Sequence, residues 1–222
     1  MGFGDVESLR RAGDRQSHEL ISSSIEHRFP DDAIRSEEST SHPLVDLRGR
    51  LWVVDPLDGT REFGEEGRTD FAVHVALVVS GRPEAGAVAL PARSVVLSTA
   101  APPHIPEPSG RLRLLVSRSR ATPLVLGLAE LMEADLVEMG SAGAKTMAVV
   151  LGEAEIYAHE GGQYEWDSAA PVAVALSAGL HCSRIDGTPL TYAHRDPWLP
   201  DLLVCRPELA APTLDAIAQL AE

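Results

Sequence analysis

The sequence has few cysteines, no long apolar run and no leader pattern, and each absence excludes a class of protein. Cys182 and Cys205 stand alone, which gives neither a disulfide framework nor a metal-binding cysteine pair. This cysteine content is typical of a reducing compartment, so we expect a cytoplasmic protein. No apolar stretch reaches the length of about 18 residues that a membrane span needs. The first residues lack the basic and then apolar pattern of a signal peptide.

Positive charge is also scarce, since 19 basic residues face 33 acidic ones and the formal net charge is −14. Binding to nucleic-acid polymers or to anionic membranes requires a positive surface, so both partners are disfavoured. A small phosphate ligand remains compatible with an acidic protein if bound metal ions reverse the local field.

Several catalytic motifs are missing. No His-Glu-x-x-His pair indicates a zinc protease, and nothing singles out a glycosidase pair among the many acids. The segment 140–146 has Ala144 where a phosphate-binding loop requires glycine. The tryptophans are too dispersed along the chain to predict a stacking surface; they are Trp52, Trp166 and Trp198.

The stretch 51–63 is the most informative part of the sequence. Four apolar residues, 51–54, predict a buried strand that delivers Asp55 and Asp58 into a turn. A buried carboxylate is costly unless a positive charge meets it. The two carboxylates flank the carbonyl of Leu57, and hard oxygen ligands of this kind suit Mg²⁺. The turn adds backbone freedom and a hydroxyl group, from Gly59 and Thr60.

Other acids have simpler explanations when each is taken alone. Asp14 stands where the N-cap of a helix over 14–28 belongs, so capping alone explains it. The pair Glu37-Glu38 follows a short segment, and if that segment is extended only one of the two points toward a given site. Asp167 opens a further helix after Trp166, and Asp is favoured as an N-cap there as well.

The order of elements predicts two regions of different architecture. The first half reads as an antiparallel sheet, with strands over 51–54, 71–79, 86–91 and 95–98. Four prolines between residues 102 and 108 exclude helix and central strand there, so we predict domains of 1–108 and 109–222. The second half alternates and indicates an α/β layer, with strands over 112–116, 136–139, 154–158 and 202–205 and helices over 123–133, 141–151, 167–178 and 208–220.

Taken together, these motifs resemble the inositol monophosphatase superfamily of Mg²⁺-dependent, Li⁺-sensitive phosphatases. The Asp55-x-x-Asp58-Gly59-Thr60 motif lies between Glu37-Glu38 and Trp166-Asp167 in the order of that family, over nearly the whole chain. The resemblance implies an α/β fold in the form of a five-layer αβαβα sandwich, as in fructose-1,6-bisphosphatase. Little of the chain precedes Asp14, so we expect the first helix of the family to be missing.

The resemblance also implies a set of metal ligands. Glu37, Asp55 and the Leu57 carbonyl match the ligands of a first ion, and Asp55, Asp58 and Asp167 match those of a second. Glu37 further matches a residue that faces a third, mostly hydrated ion. The implied cofactor is Mg²⁺, two or three ions per site, with Mn²⁺ as a substitute.

Catalytic roles follow from the same resemblance. Asp14 and Thr60 match the pair that orients and deprotonates the attacking water in metal-assisted hydrolysis of a phosphomonoester. The intact acidic set argues against the alternative of a catalytically weak metal-binding homologue. The resemblance further suggests a homodimer and a role in sulfur assimilation.

The residues that follow Thr60 distinguish subfamilies. Inositol monophosphatases usually carry an Asn-Phe pair there, whereas Arg61-Glu62-Phe63 resembles the CysQ branch. That branch removes the 3′-phosphate of 3′-phosphoadenosine 5′-phosphate. The substrate contacts that the resemblance implies are Gly59, Thr60, Arg61, Ser117, Arg118, Ser141, Lys145 and Glu160.

Some of these substrate contacts have alternatives. Lys145 would pair with the phosphate that is not cleaved. Solvated surface charge is the alternative for Arg118, Arg120 and Lys145, and it explains the two arginines equally well. Glu160 lies where inositol monophosphatases bind an inositol hydroxyl. Inositol 1-phosphate and fructose 1,6-bisphosphate therefore remain alternative substrates, and broad specificity is compatible with the sequence.

Overall fold

A computed structural model describes residues 5–39, 49–108, 110–119 and 121–221. Arg120, one of the cations weighed above, lies outside these residues. In the described part of the chain, two five-stranded sheets alternate with three layers of helices. None of the helices described is both long enough and apolar enough to cross a bilayer.

Helix α1 spans Val6–Arg28 and so begins earlier than Asp14, the start that the sequence predicted. Its N-cap is Asp5, whose side chain accepts a hydrogen bond from the Ser8 amide. Asp14 lies well inside the helix. The explanation of Asp14 as a helix cap is therefore wrong, and its carboxylate is free to serve another purpose.

The first sheet has the spatial order β1-β2-β3-β4-β5. Strands β2 to β5 form an antiparallel meander, as predicted, and β1 adds a parallel strand that the sequence did not indicate. Side chains of β3 alternate between buried and half-buried positions, as expected for a strand packed mainly on one face. The strands are β1 (Ala33–Ser36), β2 (Arg50–Asp58), β3 (Ala72–Val79), β4 (Arg82–Leu90) and β5 (Val95–Ser98), with a short helix α2 (Thr60–Phe63) after β2.

The second sheet has the order β7-β6-β8-β10-β9. β6 pairs in parallel with β7 and β8, whereas β10 runs antiparallel to β8 and β9, so this sheet is mixed. The strands are β6 (Arg113–Ser117), β7 (Asp135–Met139), β8 (Ile156–Tyr164), β9 (His181–Ser183) and β10 (Trp198–Cys205). The helices of this half are α3 (Pro123–Leu131), α4 (Ala142–Val150), α5 (Glu165–Ser177) and α6 (Ala210–Leu220).

Packing of these elements gives five layers. α1 lies on β2, α4 and α5 fill the space between the two sheets, and α3 and α6 cover the far face of the second sheet. This order is the predicted αβαβα sandwich, which is confirmed. The approach of α5 to β4 is close at Gly86, because a Cβ atom there would lie 2.7 Å from the Cβ of Ala173.

The central core combines residues from both sheets and from α4 and α5, including Leu51, Met147, Val174 and Val204. A second cluster lies beneath α3 and α6. Burial of each such aliphatic side chain contributes roughly 1.5–3 kcal/mol, so these layers hold the connecting loops in fixed relative positions. The division of the chain into domains at residue 108 stays a prediction.

Candidate metal centre and substrate pocket

Strand β2 ends in an irregular, buried turn that carries several oxygen atoms. The pairing with β3 shifts register between Asp55 and Asp58, so the backbone bulges at this point. Oδ1 of Asp55 accepts a hydrogen bond of 3.0 Å from the Leu57 amide, and the Leu57 carbonyl accepts one of 3.1 Å from the hydroxyl of Thr60. Gly59 has φ +87°, which favours glycine. The turn thereby gathers two carboxylates and a carbonyl within one short segment.

Asp58 is held by the start of α4. Its Oδ2 accepts hydrogen bonds from the hydroxyl of Ser141 and, at 2.7 Å, from the amide of Gly143. A helix N-terminus stabilises a nearby negative charge. The first turn of α4 therefore fixes the orientation of this carboxylate.

The cluster also contains His74, a residue that was not predicted from the sequence. It lies directly opposite Asp55 in the pairing of β3 with β2, and its Nε2 is 3.4 Å from Oδ2 of Asp58. Its Nδ1 lies 3.0 Å from the carbonyl of Trp166. One ligand atom each from Asp55, Asp58 and His74 lies within 4.8 Å of the others, which makes this trio a candidate metal-binding site. A single histidine within the apolar run 71–79 was the only indication available in the sequence.

Burial and mutual repulsion disturb the titration of the acids. Burial, and then the charges of Asp58, Glu37 and Asp167, raise the pKa of Asp55 well above its usual value. Desolvation, and then the charge of Asp167, raise the pKa of Glu37 to about 7, although part of its side chain faces solvent. Carboxylates from three parts of the chain are therefore electrostatic neighbours, and they are Glu37, the pair Asp55 and Asp58, and Asp167.

A divalent cation suits this donor set. Carboxylate and carbonyl oxygens are hard ligands of the kind that Mg²⁺ and similar ions prefer. A bound cation would also compensate the repulsion that raises the pKa values of Asp55 and Glu37.

Asp14 approaches the cluster from the α1 side. Gly13 lets the helix come close, because a Cβ atom there would lie 2.9 Å from the ring of Phe63 and 3.1 Å from Leu57. Asp14 is half-buried, and burial followed by the charge of Glu38 raises its pKa to about 6. Asp14 also contributes to the raised pKa of Glu37, so the two carboxylates are electrostatic neighbours.

A cavity of about 790 Å³ opens beside this cluster. Its volume is within the range of small-molecule binding sites. Most of the predicted site residues line it, namely Glu37, Asp58, Gly59, Thr60, Arg61, Ser117, Arg118, Ser141, Lys145 and Asp167. The remaining predicted residues are not part of that lining, and they are Asp14, Asp55, Leu57 and Glu160.

The sequence profile of the Inositol monophosphatase family matches residues 5–103 and 109–219. The chain belongs to the inositol monophosphatase family. As a member it is a metal-dependent phosphatase, and the resemblance noted in the sequence is confirmed.

Named relatives are similar over almost the whole chain. The "3'-phosphoadenosine 5'-phosphate phosphatase" of Mycobacterium bovis is 46% identical over 230 residues, which cover 98% of this chain and 85% of the relative. The "3'(2'),5'-bisphosphate nucleotidase CysQ" of Escherichia coli (strain K12) is 33% identical over 85% of this chain and 81% of its own length. The fold matches the inositol monophosphatase structure from Anabaena with a TM-score of 0.79, over 96% of this chain and 89% of that one at 22% identity.

Asp167 of this inositol monophosphatase family member has two roles in the structure. It is the third residue of α5, and its Oδ2 accepts a hydrogen bond of 2.6 Å from the amide of Tyr164, the N-cap residue. The same carboxylate lines the pocket. The prediction that Asp167 is the N-cap is therefore wrong, because the helix begins at Glu165 and Tyr164 is the N-cap. Asp167 instead caps the helix from its third position, and this bond orients the side chain.

The three predicted cations have different environments. Arg118 is bound by the carboxylates of Glu62, at 2.7 Å, and Glu65, at 3.0 Å. Lys145 is buried, lies 5.1 Å from the centroid of the Tyr157 ring, and donates a hydrogen bond to the Gly140 carbonyl. The exposed Arg61 lies at the pocket rim, where no acidic group of the described chain pairs with it.

Glu160 occupies a different position from the other predicted contacts. It lies on β8 opposite Asp201 of β10, beside a register shift in that pairing. It is half-buried and is not part of the pocket lining. Its proposed contact with a sugar or inositol hydroxyl stays a prediction.

Aromatic side chains from distant parts of the chain form one wall of the pocket. Tyr164 and Trp198 are cross-strand partners on β8 and β10, and they are 45% and 49% exposed. The ring of Tyr164 stacks on that of Trp166, with centroids 4.7 Å apart and planes inclined by 14°. The expectation that the tryptophans are too dispersed for a stacking surface is therefore wrong for Trp166 and Trp198. Tyr164 and Trp198 are far apart in the sequence, and the pairing of β8 with β10 makes them neighbours.

Proposed function

We propose that this phosphatase hydrolyses the 3′-phosphate of 3′-phosphoadenosine 5′-phosphate, giving AMP and inorganic phosphate. Two kinds of relative support this substrate, because the Mycobacterium bovis and Escherichia coli proteins carry names for that activity and for 3′(2′),5′-bisphosphate nucleotidase activity. The ions would be Mg²⁺, two or three per site, held by Glu37, Asp55, the Leu57 carbonyl, Asp58 and Asp167.

The observation that carries the proposal is the composition of the cavity beside the acidic cluster. Carboxylates lie at one side, Tyr164 and Trp198 form an aromatic wall, and Arg61 and Lys145 supply positive charge. A nucleoside bisphosphate has matching parts, because a base stacks on aromatic rings and a second phosphate pairs with cations. An inositol ring has no aromatic face, so the exposed aromatic wall favours the nucleotide.

Asp14 and Thr60 would have different roles in hydrolysis. The bound ions would lower the pKa of water and neutralise charge on the phosphate. Asp14, as a carboxylate, would accept a proton from the attacking water, whose oxygen forms the new bond to phosphorus. The bond from phosphorus to the 3′-oxygen would break, and that oxygen would leave as a hydroxyl after taking a proton from a second water molecule. The Thr60 hydroxyl, which donates to the Leu57 carbonyl, would orient the water by accepting a hydrogen bond from it.

Inositol 1-phosphate and fructose 1,6-bisphosphate remain alternative substrates. The sequence argument for inositol rests on Glu160, which lies outside the pocket lining and opposite Asp201. That position supports the inositol alternative less well than the aromatic wall supports a nucleotide.

Three further features are part of the proposal. We propose that the chain divides functionally at residue 108, that it acts in the cytoplasm and that it forms a homodimer. Light scattering on the purified chain would measure the oligomeric state, and a monomer would contradict the last of these.

Phosphate release from the three substrates, each with Mg²⁺ and with a chelator, tests the proposed activity. We expect the highest kcat/KM for 3′-phosphoadenosine 5′-phosphate and no release with the chelator. Trp198→Ala should lower kcat/KM for the nucleotide by about 5- to 100-fold, the effect of losing one stacked base, and leave inositol 1-phosphate almost unchanged. Phe29→Ala, an aromatic replacement outside the pocket lining, is the control. Equal or better hydrolysis of inositol 1-phosphate would contradict the substrate assignment.

A further inference from the structure

A buried ion pair connects the two segments that carry Glu37 and Asp167. Nη1 of Arg35 lies 2.5 Å from Oε2 of Glu165, and the two side chains are 1% and 0% exposed. Arg35 lies on β1, two residues before Glu37, and Glu165 is the first residue of α5, two residues before Asp167. The ion pair therefore joins the strand that precedes Glu37 to the helix start that carries Asp167.

Glu165 also fastens a third segment. Its Oε1 accepts a hydrogen bond of 2.8 Å from the amide of His194, and its own amide donates one of 2.8 Å to the carbonyl of Pro197. The next residue is Trp198, part of the aromatic wall. One buried carboxylate thus ties together the strand before Glu37, the helix start that carries Asp167 and the approach to β10.

A contribution to the stability of the fold is a weak explanation for a buried ion pair. Removing two charges from water costs several kcal/mol per ion, and apolar residues of similar volume often replace a buried pair without loss of stability. Glu37 and Asp167 are two acidic residues that line the same pocket, so an attachment between the segments that carry them would resist their separation. The ion pair between Arg35 and Glu165 provides such an attachment, two residues before each acidic residue.

We propose that Arg35 and Glu165 are positioning residues that fix the separation of Glu37 and Asp167 and thereby set the affinity of the metal centre. The inference rests on the proposed function, which assigns both carboxylates to metal binding. Neither Arg35 nor Glu165 is assigned a contact with substrate or metal. Their effect would pass through the backbone of β1 and of the first turn of α5.

The test compares two double variants in which apolar side chains replace an ion pair, either the buried pair Arg35–Glu165 or the partly exposed pair Arg113–Glu155. In Arg35→Met/Glu165→Met the proposed brace is removed, and packing is largely retained. Arg113→Met/Glu155→Met removes a similar pair, which joins β6 to the loop before β8 and has no residue in the pocket lining. Each protein is titrated with Mg²⁺ alone, by calorimetry and by the rise of Tm with Mg²⁺ concentration.

We expect Arg35→Met/Glu165→Met to need about 10- to 100-fold more Mg²⁺ than the wild type, the range found for residues that support metal ligands. The control variant should bind Mg²⁺ as the wild type does, even if its Tm without metal differs. In phosphate release, saturating Mg²⁺ should restore most of kcat for Arg35→Met/Glu165→Met, which a general loss of folding would not allow.

Wild-type Mg²⁺ affinity in a folded Arg35→Met/Glu165→Met protein would overturn the inference. If that variant does not fold, Arg35→Gln/Glu165→Gln, which removes both charges and keeps polar groups that can hydrogen-bond, replaces it with the same expectation. A wild-type protein that binds Mg²⁺ but does not hydrolyse 3′-phosphoadenosine 5′-phosphate would refute the proposed substrate and leave the positioning role supported. A wild-type protein that does not bind Mg²⁺ would overturn both.

Discussion

The amide of Gly143 donates a hydrogen bond of 2.7 Å to Oδ2 of Asp58. Asp58 comes from the end of β2 in the first sheet, and Gly143 from the first turn of α4, the helix that follows β7. The bond therefore joins the two halves of the chain at a candidate metal ligand. The bond fixes the position of Oδ2 of Asp58. The direction of the other carboxylate oxygen, Oδ1, is thereby determined as well.

Replacement of Asp58 should separate chemistry from folding. In Asp58→Asn an amide oxygen can still accept from Gly143 and Ser141, whereas the charge that would bind a cation is lost. We expect kcat/KM to fall by about a hundredfold or more, which corresponds to a few kcal/mol of lost charge stabilisation, with Tm nearly unchanged. Phosphate release with Mg²⁺ and thermal unfolding measure the two effects. Asp31→Asn, at an exposed turn, is the control, and an active Asp58→Asn enzyme would remove Asp58 from the metal assignment.

Addition of a methyl group at Gly143 should disrupt the cluster. A Cβ atom there would lie 1.8 Å from Nε2 of His74, so either the imidazole or α4 must move. Overpacking of this kind costs about 1–3 kcal/mol, and we expect Gly143→Ala to lower both Tm and activity. Gly127→Ala, in α3, meets only the flexible end of Leu220 and should keep or raise Tm, because alanine favours helix by about 1 kcal/mol over glycine. Similar behaviour of the two variants would contradict the close contact.

Repulsion at Glu37 should make the stability of the metal-free protein depend on pH. Desolvation and Asp167 raise the pKa of Glu37 to about 7 from its ordinary value of 4.5. The stabilising contribution of the protonated form is complete below the unfolded value and is lost as pH rises through the folded one. Without Mg²⁺, Glu37→Gln should therefore raise Tm at about pH 8 and raise it by a smaller amount at about pH 5.5, where part of the contribution is still present.

Mg²⁺ should reverse the sign of this effect at the higher pH, because the ionised Glu37 would then meet a cation. Calorimetric scans at both pH values, with Mg²⁺ and with a chelator, measure the four differences. Burial lowers the pKa of His74, so its titration changes the stability with pH in the opposite direction to that of Glu37. The variant and the wild type share this change, so comparing the two proteins at each pH removes it. Glu84→Gln, on an exposed part of β4, should show no such pattern. A Glu37→Gln effect that does not change with pH would refute the raised pKa.

Loss of Lys145, the single lysine of the chain, should affect one substrate class more than another. A hydrogen bond to a charged group contributes about 1.5–3 kcal/mol. We expect Lys145→Ala to lower kcat/KM for 3′-phosphoadenosine 5′-phosphate by about 10- to 100-fold and for inositol 1-phosphate by less. Lys145→Arg keeps the charge and should recover part of the loss. Equal losses on both substrates would exclude Lys145 from specificity and leave it the packing role seen against Tyr157.

The sequence predicted most elements whose periodicity or apolar runs are strong. The meander of the first sheet, the alternation in the second half and the five layers all followed from such patterns or from the family resemblance. β1 and β9 were missed because three or four residues carry too little periodicity. The predicted ends of β8 and β10 were also wrong, since Gly161, Gly162 and Pro200 argue locally against strand, whereas pairing between the two strands extends past them.

Within the candidate site, the sequence by itself determined the chemistry of the carboxylates. Asp55, Asp58 and their spacing at the end of an apolar strand were sufficient, because a buried acid needs a positive partner. Only the tertiary structure decided which other groups meet them. His74 depends on the register of β3 against β2, and the aromatic wall of Tyr164 and Trp198 depends on the register of β10 against β8. Register between strands is set by packing across the whole sheet, and no local stretch of sequence contains it.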